Sequence, residues 1–128
     1  MTQRQSVSQA QKLLTEYRNT AWRKSLLEAV PSAKPKALDA CEKRINFTQE
    51  LVEILRNDKR LGEKLYWVIY QTYLTTWQPG DIEEILENIA EKLGHIPRSS
   101  YFRLRGRAIE ILDEHLSELS NDRLPACI

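Results

Sequence analysis

The residue types best suited to chemistry in this sequence fall in one run, Arg98-Ser99-Ser100-Tyr101-Phe102-Arg103-Leu104-Arg105, with Arg107 just beyond it. A guanidinium group can fork onto the two acceptors of a guanine edge or onto phosphate oxygens, and serine hydroxyls can bond any base edge. On a helix, residues three and four apart share a face, so Ser99, Ser100 and Arg103 make one strip turned away from Tyr101 and Leu104. Arg98 lies five positions from Arg103, about 140° around the axis at 3.6 residues per turn. The spacing therefore predicts base contacts from Ser99, Ser100 and Arg103, with Arg98 at the groove edge. Arg105 and Arg107 are expected on phosphates, where they set register rather than sequence. Phe102 either meets a thymine methyl or packs under the preceding turn.

Other chemistries find little support. His95, His115, Cys41 and Cys127 lack zinc-ligand spacing. There is no glycine-rich phosphate loop, no serine nucleophile elbow and no HExxH pair. Glu83, Glu84, Glu87 and Glu91 could share a helix face around a divalent ion. A solvated face favoured by the helix dipole explains them more simply. The aromatic run around Tyr66, Trp67, Tyr70 and Tyr73 has no interleaved Arg or Lys, so core packing is expected rather than base stacking. The expectation is a protein that is not an enzyme, without cofactor or metal.

The elements that must position these residues read as helical throughout. The 128 residues suit one domain, with only four glycines, and 41% hydrophobic and 29% charged residues argue against wholesale disorder. No apolar stretch approaches the about 18 residues a membrane helix needs, and Met1 to Ser6 lacks the apolar core of a secretory signal. A cytoplasmic setting is expected, in which Cys41 and Cys127 are lone thiols. Net charge is only +1, but its distribution is uneven. Residues 1 to 36 carry seven Lys/Arg against two Glu, and residues 61 to 97 carry two Lys against six acids. Four arginines then follow between 98 and 107 with no acid among them. A local basic strip on a near-neutral chain suits a protein that docks duplex DNA at one place.

Apolar periodicity predicts five helices. The first runs from about Val7 to Val30 with Leu13, Leu14, Tyr17, Ala21, Leu26 and Leu27 inward, and the prolines between 31 and 35 end it. The second covers about Ala37 to Leu55, on Leu38, Cys41, Ile45, Val52 and Leu55, before a short charged connection, Asn57 to Arg60. The third, Leu61 to about Thr76, is apolar almost all round. Trp77-Gln78-Pro79-Gly80 breaks the chain, Asp81 and Glu84 form a capping box, and the fourth helix runs from Ile82 to Leu93. The fifth starts at Arg98 and continues to about Leu119. The expected core includes Trp67, Val68, Ile69, Ile85, Ile89, Tyr101 and Leu104.

Ala90, Gly94, Ile96, Tyr101 and Leu104 meet the demands of a helix-turn-helix: a small residue at the crossing, an αL-tolerant turn residue, and an apolar inner face on the second helix. The turn is one residue longer than usual. Either His95 takes the position glycine normally holds, or the turn bulges. Pro97 stands where a capping Ser or Thr is usual, though proline suits a helix start. The organisation is thus all-α, with an N-terminal helical arm over 1–60 and a helix-turn-helix region with a long recognition helix over 61–128, together one compact unit.

Residues 65 to 112 resemble the C-terminal part of the ArpU-type phage transcriptional regulators, which are similar to the promoter-reading region 4 of bacterial sigma factors. Ser99-Ser100-Tyr101-Phe102-Arg103-Leu104-Arg105 and Arg107-Ala108-Ile109 carry the likeness. The acidic run Asp81 to Glu91, Pro97 and Gly106 depart from it. The resemblance implies a phage or prophage regulator of late genes, acting on double-stranded DNA near the host nucleoid and through RNA polymerase. An alternative is a helical adaptor docking a polymerase subunit or a packaging protein; a packaging subunit that itself recognises DNA is a third. Leu112, Leu116 and Leu119, beyond the helix-turn-helix, are expected to serve a homodimer on two half-sites.

Overall fold

A computed structural model describes residues 8–30 and 35–119. The start of the first helix at Val7, the break at 31–34 and Cys127 lie outside the described residues. The described chain is 83% helical and contains no strand. Five helices, α1 (Gln9–Ala29), α2 (Pro35–Glu53), α3 (Gly62–Ile69), α4 (Ile82–Leu93) and α5 (Arg98–Glu118), form one small all-α domain. None among the described residues is long and apolar enough to cross a membrane.

The first helix is started by the last. The Ser8 hydroxyl accepts the Gln11 amide at 3.0 Å, as an N-cap does. That hydroxyl also donates to Asp113 Oδ2 at 2.7 Å, and the Ala10 amide donates to Asp113 Oδ1 at 2.9 Å. The first turn of α1 holds no acid of its own, so α5 supplies the negative charge that its dipole favours. Ala10, Leu13 and Leu14 are then buried against α5 and the segment after α3. Beyond Tyr17 the expected apolar face fails: Leu26 is 49% exposed, and Ala21 and Leu27 are half-buried. Arg18 and Asn19 still face α5 and the segment after α3, but from Ala21 on the neighbour is α2, and one neighbour cannot cover a whole stripe. Trp22, Leu26 and Val30 are left in solvent.

On α2 the buried row is Cys41, Arg44, Thr48, Leu51 and Val52, while Leu38 and Ile45 are half-buried. Within that row Arg44 pairs with Glu16 of α1. A 3₁₀ turn, Ile54–Asn57, leads to a tight corner at Gly62. A Cβ there would stand 2.5 Å from the Arg56 carbonyl oxygen, so only glycine fits. The expected third helix is two segments: α3 gives way to a π turn, Tyr70–Leu74. Arg18 of α1 donates to the Thr72 and Thr75 carbonyls at 3.0 and 2.9 Å and to the Thr75 hydroxyl at 2.8 Å, satisfying groups the helix end leaves open. Burial lowers the Arg18 pKa from its ordinary value.

Two apolar clusters meet on α3. Leu65 and Ile69 join α1, α2 and the C-terminal half of α5 through Leu13, Val52, Ala108 and Leu112. Val68 joins Ile89, Ile96 and Tyr101, with Ile82, Ile85, Leu86 and Leu93 half-buried around them. Val68, Ile69, Ile89 and Tyr101 are fully buried as expected; Trp67, Ile85 and Leu104 are not. Trp67 is half-buried because its ring has a polar surround: its indole N–H donates to Glu63 at 3.2 Å, and the Lys92 ammonium lies 5.0 Å from its centroid. Leu112 and Leu116 are buried within the chain and Leu119 is half-buried, so the stripe expected to serve a dimer is filled by the chain's own helices.

Candidate nucleic-acid interface

α4 begins at Asp81, whose carboxylate accepts the Glu84 amide at 3.0 Å. The return bond of the capping box is displaced by one residue: Glu84 Oε1 accepts from the Gly80 amide at 3.0 Å, not from Asp81. Gly94 closes the helix with φ +81°, a conformation that strains any side chain, and its amide donates to the Ala90 carbonyl at 2.9 Å. Glycine therefore makes the turn, and His95 is the extra residue, exposed beside it. Ile96 is buried and Pro97 stands at the N-cap of α5 with φ −63° and no capping side chain. Its carbonyl still accepts the Tyr101 amide at 3.0 Å.

Tyr101 anchors the start of α5. Its ring is fully buried and its hydroxyl lies 2.8 Å from the Thr72 hydroxyl. Thr72 donates its proton to the Val68 carbonyl at 2.6 Å, so Tyr101 is the donor of the pair. This bond fixes the rotation of α5 about its axis and hence which side chains face out.

Ser99 and Arg103 are exposed, and Ser100 is half-buried beside them. Arg103 Nη2 donates to Ser100 Oγ at 3.2 Å. Gly106 and Arg107 continue the same exposed surface one turn on. Arg107 reaches Glu110 at 3.6 Å, and Arg98 reaches Glu83 of α4 at 3.5 Å. Phe102 and Arg105 belong to a different flank, about 100° and 160° around the axis from Arg103. With Arg18, Asn19, Gln78 and Ile82 they line a groove of about 500 Å³ between α1 and the start of α4. The Phe102 ring meets Tyr101 edge-on at 5.1 Å, and the Arg105 guanidinium lies 5.1 Å from the Phe102 centroid. The seven candidate residues thus divide into an outward strip of Ser99, Ser100, Arg103 and Arg107, a flank pair of Phe102 and Arg105, and Arg98 held by an acid.

Lys59 and Arg60, in the charged connection after the 3₁₀ turn, are exposed, and the turn itself packs against α5. The Asp58 carboxyl is held below its ordinary range by bonds from the Leu61 and Arg60 amides, with smaller contributions from the Arg107 and Arg60 charges. At Gly106, already singled out in the sequence, an added Cβ would meet nothing within 4 Å. Packing within the chain places no demand for glycine there.

No family model, curated protein or solved structure matches this chain. The likeness to ArpU-type regulators accordingly rests on the residues quoted for it.

Proposed function

We propose that this protein binds double-stranded DNA in a sequence-specific manner through the N-terminal half of α5, and that it regulates transcription as the resemblance to phage late-gene regulators implies. The observation that carries this reading is the outward strip Ser99, Ser100, Arg103 and Arg107. It presents hydrogen-bonding and cationic groups on one face of a helix start, where a recognition helix reads the major groove. The basic character of α5 stops there, since Glu110, Asp113, Glu114 and Glu118 populate the remainder. Only the first turns suit a polyanion. RNA polymerase remains a partner in this reading through contacts outside α5.

A second reading, a helical adaptor for a basic protein surface, is favoured by the exposed carboxylates Glu83, Glu84, Glu87 and Glu91 on α4. Selection from a random duplex pool, followed by titration of two variants, separates the two. Arg103→Ala is expected to lose roughly 1–3 kcal/mol on the selected duplex and to relax preference at one base pair. Arg107→Ala should weaken selected and random duplexes alike and lower the salt slope by roughly one unit. Uniform losses from both variants would leave only backbone contacts, and absence of enrichment in the pool would favour the adaptor.

A further inference from the structure

The N-terminal half of α1 is tied to α5 at two places, once by direct bonds and once through the π turn. The direct tie is Asp113, which accepts the Ser8 hydroxyl at 2.7 Å and the Ala10 amide at 2.9 Å. The other begins at Arg18, whose guanidinium donates to the Thr72 carbonyl, the Thr75 carbonyl and the Thr75 hydroxyl at 3.0, 2.9 and 2.8 Å. Thr72 is thereby held, and its hydroxyl accepts from Tyr101 at 2.8 Å while donating to the Val68 carbonyl at 2.6 Å. Tyr101 is fully buried, so a displaced Thr72 would strand its hydroxyl without an acceptor. From Tyr101 to Asp113 is about 18 Å along α5 and about 120° around its axis. A helix held at two points that differ in height and in angle can neither slide nor turn.

Resting on the reading of α5 as a DNA-reading helix, we propose that Arg18 is a positioning residue for base recognition, acting through Thr72 and Tyr101 without touching DNA. A bidentate contact from Arg103 to a base edge needs two N–H groups aligned at once, so it depends on the rotation of α5. A single contact to phosphate is less exacting. Arg18 is half-buried, and its three bonds to the π turn direct the guanidinium there rather than toward a duplex. A π turn leaves carbonyls without helical partners, and the planar fork of arginine can hold two of them together. The basic N-terminal helix thus serves the reading helix by orienting it, and the π turn is the part that carries the orientation across.

The test titrates the full chain against the selected duplex and a set of duplexes each changed at one base pair, over a range of salt. The readout is the affinity ratio at the base pair where Arg103→Ala relaxes preference. Arg18→Met keeps the reach of the side chain and removes its donors, whereas Arg18→Lys keeps the charge and loses the fork. Both should lower the ratio by about fivefold, the net weight of one hydrogen bond. Tyr101→Phe, which keeps the buried ring, should lower it likewise. The slope of log affinity against log salt should match the wild type in all three. A role in stability alone would weaken every duplex by the same factor, and the unchanged ratio would overturn the proposal. A slope lower by about 0.9 in Arg18→Met, with Arg18→Lys behaving as wild type, would make Arg18 a phosphate contact and overturn it too. If Arg18→Met does not fold, Arg18→Lys and Tyr101→Phe decide by the same ratio. Should the ratio hold in these variants yet fall in Arg103→Ala, the reading of α5 stands without the positioning role. A wild type with no preference among the duplexes, or one whose preference Arg103→Ala leaves intact at every position, overturns both.

Discussion

Gly106 occupies the middle of α5, where a helix gains nothing from glycine. A Cβ there would meet nothing within 4 Å, so alanine adds no clash. It removes the backbone freedom glycine gives the unfolded chain, worth about 0.5–1 kcal/mol in a helix interior. For a domain of this size that gain should raise Tm by roughly 2–6 °C. The same methyl group would project from the exposed surface between Phe102 and Arg103 on one side and Arg107 on the other. If the duplex lies against this surface, the methyl must be accommodated at a packed contact. Overpacking of that kind costs about 1–3 kcal/mol, a loss of roughly 5- to 150-fold in affinity. Gly106→Ala should therefore melt later and bind more weakly, read by thermal unfolding and by fluorescence anisotropy on the selected duplex. A later melt with unchanged affinity would place the duplex elsewhere and refute the docking surface. An earlier melt would refute the open space described around residue 106.

Gly62→Ala should have the opposite effect on stability, because its Cβ would meet a backbone carbonyl that cannot swing aside. A loss of about 1–3 kcal/mol is expected in denaturant titration; a neutral result would mean that the corner is looser than described. The Asp58 carboxyl has a folded-state pKa below its ordinary value, so its contribution is fully present above the ordinary aspartate range and is lost as pH falls through the folded pKa. Comparing unfolding midpoints at neutral and strongly acidic pH, the wild type should lose more than Asp58→Asn, and equal losses would remove Asp58 from the acid response.

The ends of α4 and the start of α5 were legible because local residues set them: Asp81 caps, Gly94 takes a positive φ, and Pro97 begins a helix without an amide to lose. The all-helical class followed from periodicity for the same reason. Periodicity does not say how much of a stripe a neighbour will cover. The last turns of α1, from Ala21 on, keep the apolar spacing of its start but have α2 beside them, so Leu26 is in solvent while Leu13 is buried. Trp67 similarly has a core residue's spacing, yet Glu63 and Lys92 give its edge a polar surround. The end of α3 could not be read locally because the groups that close the π turn come from Arg18, more than fifty positions earlier. For the candidate interface, the strip on α5 was visible as a run of types.

The bond from Ser8 and Ala10 to Asp113 has a consequence for synthesis. These partners are separated by 105 and 103 positions along the chain. At about 5–20 residues per second, a ribosome makes the first turn of α1 roughly 5–20 s before the carboxylate that completes it. Through that interval the Ala10 amide and the Ser8 hydroxyl have only water or a chaperone to bond, and Leu13 and Leu14 lack the α5 surface they will be buried against. α1 is thus made before the other described helices yet is among the last to be finished, and a chain truncated before residue 113 would leave the ribosome with that first turn still open.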